Sequence, residues 1–295
     1  MDFLAAEPEL YDVDLDHYVY LAGTTREETK WEIKYASYYF NMGYASNNKG
    51  DFDKAIEYYG EAIKLDPGLA MAYNNRGGVY YDKGEYDRAI EDSSKAIKLD
   101  PEDFKAYNNR GLAFENIGEY DRAIEDHDKA IELDPEYSNA YNSRGNAYYA
   151  KGEYDRAIED HNKAIELDPD YADAYNNRGV AYINKGEYNR AIEDINKAIE
   201  LDPDHAEAYD SRGNAYYNKG EYDRAIEDYS QAINLNSYED IILKNLIGLL
   251  NEMLEKKKQF PKKWDSSNVK EKIMSSDLEK KKKDKITALL KKLKA

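Results

Sequence analysis

Histidines are the residues of this chain that could ligate a metal ion or transfer protons, and there are four of them. His127 and His161 each follow an aspartate and lie 34 residues apart, so a metal ion shared between two neighbouring helices is conceivable. His17 and His205 have no such partner in the sequence. The positions at other multiples of 34 residues vary in type, which favours a role in packing over a role in ligation. They hold Tyr59, Ser93, Ile195 and Tyr229.

Other catalytic motifs are missing from the sequence. It contains no phosphate-binding glycine loop, no dinucleotide fingerprint and no nucleophile with a matched base. There is no cysteine, which excludes disulfides and cysteine-ligated metal sites. We interpret the abundant Asp and Glu as outward charges of amphipathic helices. We therefore expect a protein that is not an enzyme and that binds neither a cofactor nor a metal.

The net charge is -18, and it is unevenly distributed. Residues 236–295 hold 16 Lys against 9 Asp and Glu, a net charge of +7, which leaves -25 for residues 1–235. An acidic body argues against nucleic acid as its ligand, because such binding needs Lys and Arg to neutralise phosphates. The first residues lack a secretion signal and no apolar stretch approaches ~18 residues. We expect a soluble, cytoplasmic protein without a transmembrane segment.

A 34-residue period dominates the chain, and a fixed period of this size indicates a solenoid of stacked units. Each unit contains two amphipathic helical patterns. A turn such as "KGEY", with Gly152 suited to positive φ, separates them, and an Asp-Pro pair ends the second. The pair occurs at Asp66-Pro67, Asp100-Pro101, Asp134-Pro135, Asp168-Pro169 and Asp202-Pro203, and becomes Asn236-Ser237 at the end of the sixth unit.

Small residues recur at two positions of every unit. Glycine inside a helix costs ~1 kcal/mol against alanine, so its return implies a contact that leaves no room for a side chain. The glycines are Gly43, Gly77, Gly111, Gly145, Gly179 and Gly213. The alanines are Ala55, Ala89, Ala123, Ala157, Ala191 and Ala225.

These features, found over residues 36–237, resemble the tetratricopeptide repeat (TPR) family. The resemblance implies an all-α fold: an α-solenoid of six 34-residue helix-turn-helix repeats in a right-handed superhelix, with a C-terminal capping helix. The first unit departs from the pattern, with Ser46 where four others have tyrosine. We assign an acidic N-terminal segment with the start of the first helix (1–33), repeats at 34–67, 68–101, 102–135, 136–169, 170–203 and 204–237, a capping helix (238–259) and a basic tail (260–295).

Five units carry an arginine before the glycine and an aspartate in the second helix. Arg144 lies eight residues before Gly152 and Asp160 lies eight after it, so an antiparallel hairpin places them opposite one another. In the first unit both change together, to Met42 and Tyr58. We predict structural ion pairs, because an unpaired charge would be costly there. They are Arg76–Asp92, Arg110–Asp126, Arg144–Asp160, Arg178–Asp194 and Arg212–Asp228.

Asparagines form two columns along the first helices, which line the inner curve of such a stack. Asparagine is a poor helix former, so another requirement keeps it there. The resemblance implies that Asn75, Asn109 and Asn177 grip the main chain of an extended peptide. Alternatively, the amides satisfy backbone groups of the neighbouring repeat. The candidate groove residues are Asn41, Asn74, Asn75, Asn108, Asn109, Asn142, Asn146, Tyr149, Asn176, Asn177, Asn214 and Tyr217, with Tyr81, Leu112, Val180 and Ile183 expected to face the same groove.

The predicted function is a non-enzymatic scaffold for protein–protein interaction, which binds an extended segment of a partner in its concave groove. A self-assembling structural module is the alternative. The basic tail is either solvated, an arm that folds onto the acidic body, or an amphipathic helix for an anionic membrane or RNA. The N-terminal segment is predicted to cover the first repeat, because a terminal unit needs a cap.

Overall fold

The computed structural model describes residues 26–235 and 245–250, together with residues 284 and 287. Within these residues every regular element is a helix. The helices, in chain order, are α1 Arg26–Asn47, α2 Phe52–Leu65, α3 Ala70–Asp82, α4 Tyr86–Leu99, α5 Phe104–Asn116, α6 Tyr120–Leu133, α7 Ser138–Ala150, α8 Tyr154–Leu167, α9 Ala172–Asn184, α10 Tyr188–Leu201, α11 Ala206–Lys219 and α12 Tyr222–Asn234. No helix of this described part is both long and apolar enough to cross a membrane.

The chain divides into two compact units, residues 1–147 and 148–295. In the first unit, α1 packs against α2, α3 against α4 and α5 against α6, and successive pairs are joined by contacts of α2 with α3 and of α4 with α5. The second unit repeats this arrangement, with α9 against α10 and α11 against α12, joined by contacts of α8 with α9 and of α10 with α11. Consecutive helical hairpins therefore supply one another's interior, which confirms the predicted helix-pair architecture.

The turn inside each hairpin has the geometry that its glycine predicts. Gly152 has a φ of 78°, a left-handed conformation that favours glycine. Its N–H donates to the Tyr149 carbonyl at 2.8 Å, and the Glu153 N–H donates to the Tyr148 carbonyl at 2.9 Å. These bonds cap the last carbonyls of the first helix. At the far end of α8, Asp168 accepts from the Asp170 N–H at 3.1 Å, and proline prevents the helix from continuing.

The recurring helical glycine marks a contact between the two helices of a hairpin. A Cβ at Gly111 would lie 2.6 Å from Cε1 of His127, and a Cβ at Gly179 would lie 2.6 Å from Cγ1 of Ile195. The prediction that no side chain fits there is confirmed at these positions. The residue that faces the glycine always comes from the same position of the repeat. This position accommodates a ring, a hydroxyl group or an aliphatic chain. In the described hairpins this position holds Tyr59, Ser93, His127, Ile195 and Tyr229.

A short helical stretch, residues 245–250, covers the last described hairpin. Leu246, Leu249 and Leu250 are at most 2% exposed and share one apolar cluster with Tyr216 and Ile226. This burial removes apolar surface of α11 and α12 from water. The remaining predictions for the capping helix, for residues 1–25 and for the basic tail apart from residues 284 and 287 lie outside the described residues.

Candidate functional site

The arginines on the first helices pair with the aspartates opposite them. Arg76 donates from Nε to Asp92 Oδ2 at 2.7 Å and from Nη2 to Oδ1 at 2.8 Å, a bidentate geometry. The aspartate raises the pKa of Arg76 through these hydrogen bonds. The structure shows the same bidentate contact for Arg110–Asp126, Arg178–Asp194 and Arg212–Asp228. The fifth predicted pair, Arg144–Asp160, stays a prediction.

A third contact of these arginines was not predicted from the sequence. Arg178 also donates from Nη1 to Asn162 Oδ1 of the preceding repeat at 2.6 Å, so it links two hairpins as well as two helices. In the sequence, this contact is visible only as a small polar residue two positions after each of these aspartates. The first repeat has Gly60 at the equivalent position, which offers no side-chain acceptor to Arg76. The described contacts are Arg110–Ser94, Arg144–Asp128, Arg178–Asn162 and Arg212–Asn196.

The first asparagine column requires a correction, because its side chains are buried. Asn74 donates to Asp103 Oδ2 at 3.1 Å and accepts from Asn109 Nδ2 at 2.7 Å, and both partners belong to the next repeat. Asn108 accepts from His127 Nδ1 at 3.1 Å. These amides hold the interior of the repeats together. Their contacts join side chains, so they differ from the backbone contacts that the sequence offered as the alternative to a groove. The column is Asn74, Asn108, Asn142 and Asn176, each between 3% and 6% exposed.

The two histidines in the second helices are buried packing residues. His127 contacts Asn108 through Nδ1, so this nitrogen carries the proton of the neutral ring. Burial lowers the pKa of His127 and that of His161 to about 3, and both rings are therefore neutral at physiological pH. No group of three or more His, Cys, Asp or Glu in the described part of the chain is placed to hold a metal ion.

The second asparagine column is more accessible. Asn41 is exposed, and Asn75, Asn109 and Asn177 are partly exposed. Asn109 donates one of its side-chain N–H groups to Asn74, as described above. The other two candidate asparagines, Asn146 and Asn214, are also partly buried.

Asn214 is engaged within its own hairpin. It donates to Asp210 Oδ2 at 3.1 Å and accepts from the Tyr229 hydroxyl at 2.9 Å. The Asp210 carboxylate also accepts from Asn245 Nδ2 at 3.0 Å, at the covered end of the second unit. The structure therefore assigns Asn214 a place in an internal polar network.

Two of the three groove tyrosines contribute to the seams between repeats. Tyr149 accepts from Asn184 Nδ2 at 2.8 Å through its hydroxyl, and Tyr81 accepts from Asn116 Nδ2 at 3.0 Å. The Tyr217 ring instead packs within its own hairpin, 5.9 Å from the ring of Tyr222. Each of the three rings keeps part of its surface exposed, so these tyrosines pack against neighbouring residues and also face outward.

An open cavity of about 300 Å³ lies in the first unit, where α1, α3 and α5 present their accessible side chains. Asn75 and Asn109 line it, as do Tyr81 and Leu112, four residues that the sequence assigned to the groove. Asn74 also reaches its wall, although most of that side chain is buried. The cavity thus combines amide groups, which can donate and accept hydrogen bonds, with apolar surface.

Comparisons with known proteins agree with this architecture. The model described as "Tetratricopeptide repeat" matches residues 36–69, 104–137, 172–205 and 206–238, a second model of that description matches 128–159, and "TPR repeat" matches 77–118 and 145–186. An uncharacterized protein of Methanocaldococcus jannaschii is 51% identical over 35 residues, 12% of this chain and 41% of that relative. The chain thus spans less than half the length of the curated relative that it matches.

Solved structures are similar as well. The crystal structure of MamA protein is 35% identical, covers 59% of this chain and 94% of its own, and has a TM-score of 0.49. The APC/C hetero-tetramer Cut9-Hcn1 is 19% identical, covers 80% of this chain and 45% of its own, and has a TM-score of 0.66, a likeness of fold. The matches to the family models together extend over residues 36–69 and 77–238. With these matches and the helical hairpins described above, the chain belongs to the tetratricopeptide repeat family, whose members are typically non-enzymatic scaffolds for protein interaction.

Proposed function

We propose that this protein binds an extended segment of a partner protein along its first helices, with the cavity of the first unit as the main contact. The observation that carries the proposal is the cavity itself, which is open and lined by Asn75 and Asn109 beside the Tyr81 ring. Amide side chains match the alternating donors and acceptors of a peptide main chain. The burial of the first asparagine column restricts the proposed contact to the second column.

Self-assembly by end-to-end stacking is the alternative, and α1 argues against it at the N-terminal end. Tyr38 is 52% exposed, whereas the residue 34 positions later is Ala72, which is fully buried. The later repeats hold a fully buried alanine at this position, and Ala208 shares an apolar cluster with Ile195 and Ala198 of the preceding hairpin. A tyrosine ring cannot be accommodated at the same helix separation. Those alanines are Ala72, Ala106, Ala140, Ala174 and Ala208.

The proposal is tested by selecting binders from a phage-displayed library of random nine-residue peptides. We expect the intact protein to enrich a set of peptides, and the double variant Asn75→Ala, Asn109→Ala to bind them at least tenfold more weakly, because each lost hydrogen bond contributes ~1 kcal/mol. The exposed Asn189 of α10 provides the control, and Asn189→Ala should bind normally. Thermal melts establish that each variant is folded. Equal affinity of the double variant and the intact protein would contradict the proposal.

A further inference from the structure

The cavity opens at the place where the repeat pattern changes. At two later junctions a tyrosine of one first helix and an asparagine of the next close the seam. These pairs are Tyr81 with Asn116 and Tyr149 with Asn184. At the first junction the equivalent positions hold Asn47 and Asp82, and both residues line the cavity. The seam there lacks the ring that fills it at those two junctions.

Gly78 enlarges this opening. Its neighbour Gly77 is required by packing, because a Cβ there would lie 3.1 Å from Ser93 Oγ. A Cβ at Gly78 would meet nothing within 4 Å, so packing in the protein does not require this second glycine. Glycine is unfavourable inside a helix, and the equivalent positions carry side chains such as Leu112 and Val180. Gly78 therefore leaves space that a guest side chain can fill.

The walls of the cavity are aromatic and its rim is acidic. Tyr44, which is 54% exposed, and Tyr81 present rings to it. Asp82 is exposed at the rim and forms no ion pair with another described residue, and partial desolvation raises the pKa of its carboxyl group. The Tyr59 hydroxyl is also buried at the cavity, near the Asn75 amide but without a well-directed hydrogen bond. A ligand could therefore pair with the Asp82 carboxylate, which has no cationic partner among the described residues, and could complete the hydrogen bonding of the buried hydroxyl.

We infer that this cavity is the anchor subsite of the groove and binds one lysine or arginine side chain of the partner segment. The alkyl stem packs against the Tyr44 and Tyr81 rings, and the charged group pairs with Asp82. Aromatic faces attract cations, and a carboxylate at the rim adds a direct charge pair. The charge of -25 on residues 1–235 also favours the approach of a basic segment. The inference rests on the proposed function, because it specifies which segment the groove selects.

The first experiment changes the charge at the rim and keeps its shape. Asp82→Asn introduces the residue that Asn116 and Asn184 represent in other repeats, and Glu91→Gln removes an exposed charge from the outer helix α4 as a matched control. In the phage library described above, the intact protein should enrich Lys or Arg at one position. Replacing that residue by norleucine should weaken binding roughly fivefold, and this penalty should vanish in Asp82→Asn and persist in Glu91→Gln.

The second experiment fills the cavity. Gly78→Leu places at this position the residue found at Leu112, and the open space around Gly78 allows a folded variant with an unchanged or higher melting temperature. We expect it to bind the enriched basic peptides at least about tenfold more weakly. Unchanged binding by this variant, or a norleucine penalty that survives Asp82→Asn, would overturn the inference.

Different results would refute the anchor subsite and the proposed function. If the intact protein enriches peptides that depend on Asn75 and Asn109 but show no preference for Lys or Arg, the anchor is refuted and the proposed function stands. If it enriches no peptide at all, the proposed function fails and the anchor fails with it.

Discussion

The buried histidine of the first unit predicts a specific dependence of stability on pH. His127 is fully buried, and burial lowers its pKa to about 3, against 6.5 for the free side chain. Below pH 6.5 the unfolded chain binds a proton that the folded chain does not bind. The stability associated with the neutral ring is therefore complete above pH 6.5 and decreases as the pH falls toward 3.

The magnitude follows from the proton linkage. Each pH unit below 6.5 costs about 1.4 kcal/mol per histidine that stays neutral in the folded state. Between pH 7 and pH 5 the loss in the free energy of unfolding for His127 is therefore about 2 kcal/mol. His161 of the second unit has the same lowered pKa and should behave in the same way.

The matched variant is His127→Ile, because Ile195 occupies the same place against Gly179. In that natural repeat the Asn176 Oδ1 atom is buried without a hydrogen-bond partner, as Asn108 Oδ1 would be in the variant. The variant should thus lose ~1 to 3 kcal/mol at pH 7 from the unsatisfied amide. This offset leaves the slope with pH as the informative quantity.

The assay is urea unfolding, followed by circular dichroism, at pH values from 5 to 7. Carboxylates titrate similarly in both proteins, so the difference in slope isolates the histidine. We expect the free energy of unfolding of the intact protein to fall by about 2 kcal/mol more than that of His127→Ile over this range. Parallel curves for the two proteins would refute the assignment of His127 as a buried neutral ring.

Three further predictions concern the repeats. Arg76→Met should lower the free energy of unfolding by ~3 kcal/mol, because it leaves the buried Asp92 carboxylate unpaired. Adding Asp92→Tyr reproduces the Met and Tyr that the first repeat has at these two positions, and it should recover most of that loss. Additive losses in urea unfolding would contradict the ion pair. Gly111→Ala should destabilise the protein by ~1 to 3 kcal/mol, because the new methyl group clashes with the His127 ring. Gly78→Ala should stabilise it by up to ~1 kcal/mol, because its methyl group meets no other atom and alanine favours a helix. Similar melting temperatures of the two variants would refute this difference in packing. The Asp173 carboxylate, whose Oδ1 lies 3.0 Å from His205 Nε2, raises the pKa of the His205 ring. The stability that this pair contributes is therefore complete below pH 6.5 and is lost as the pH rises through the folded pKa. A nuclear magnetic resonance titration of His205 should show a raised pKa, and a lowered pKa would contradict the pairing.

The sequence predicted the features that depend on local spacing. The hairpins, the glycine turns and the contact at Gly111 all follow from patterns within 34 residues, because helix period and backbone conformation are local properties. The opposition of Arg76 and Asp92 followed from equal distances to the turn. Each of these features requires only the geometry of one hairpin.

The features that depend on stacking between hairpins were harder to predict. Successive residues of a helix point about 100° apart, so the rotation of α3 against its neighbours decides which of Asn74 and Asn75 is buried. The third contact of Arg178 likewise depends on the register between repeats. The cavity is lined by residues such as Asn47 and Gly78, which differ from those at the equivalent positions of other repeats. From the sequence alone, such differences look like ordinary variation between repeats.

The central claim is that the amides of the second asparagine column bind a partner segment. The most direct test is a nuclear magnetic resonance titration of the intact protein with a selected peptide, observing side-chain amide resonances. We expect the side-chain amide resonances of Asn75 and Asn109 to shift in proportion to occupancy, while that of Asn189 on α10 stays unchanged. Saturable binding that leaves Asn75 and Asn109 unperturbed and shifts resonances of the second helices would contradict it.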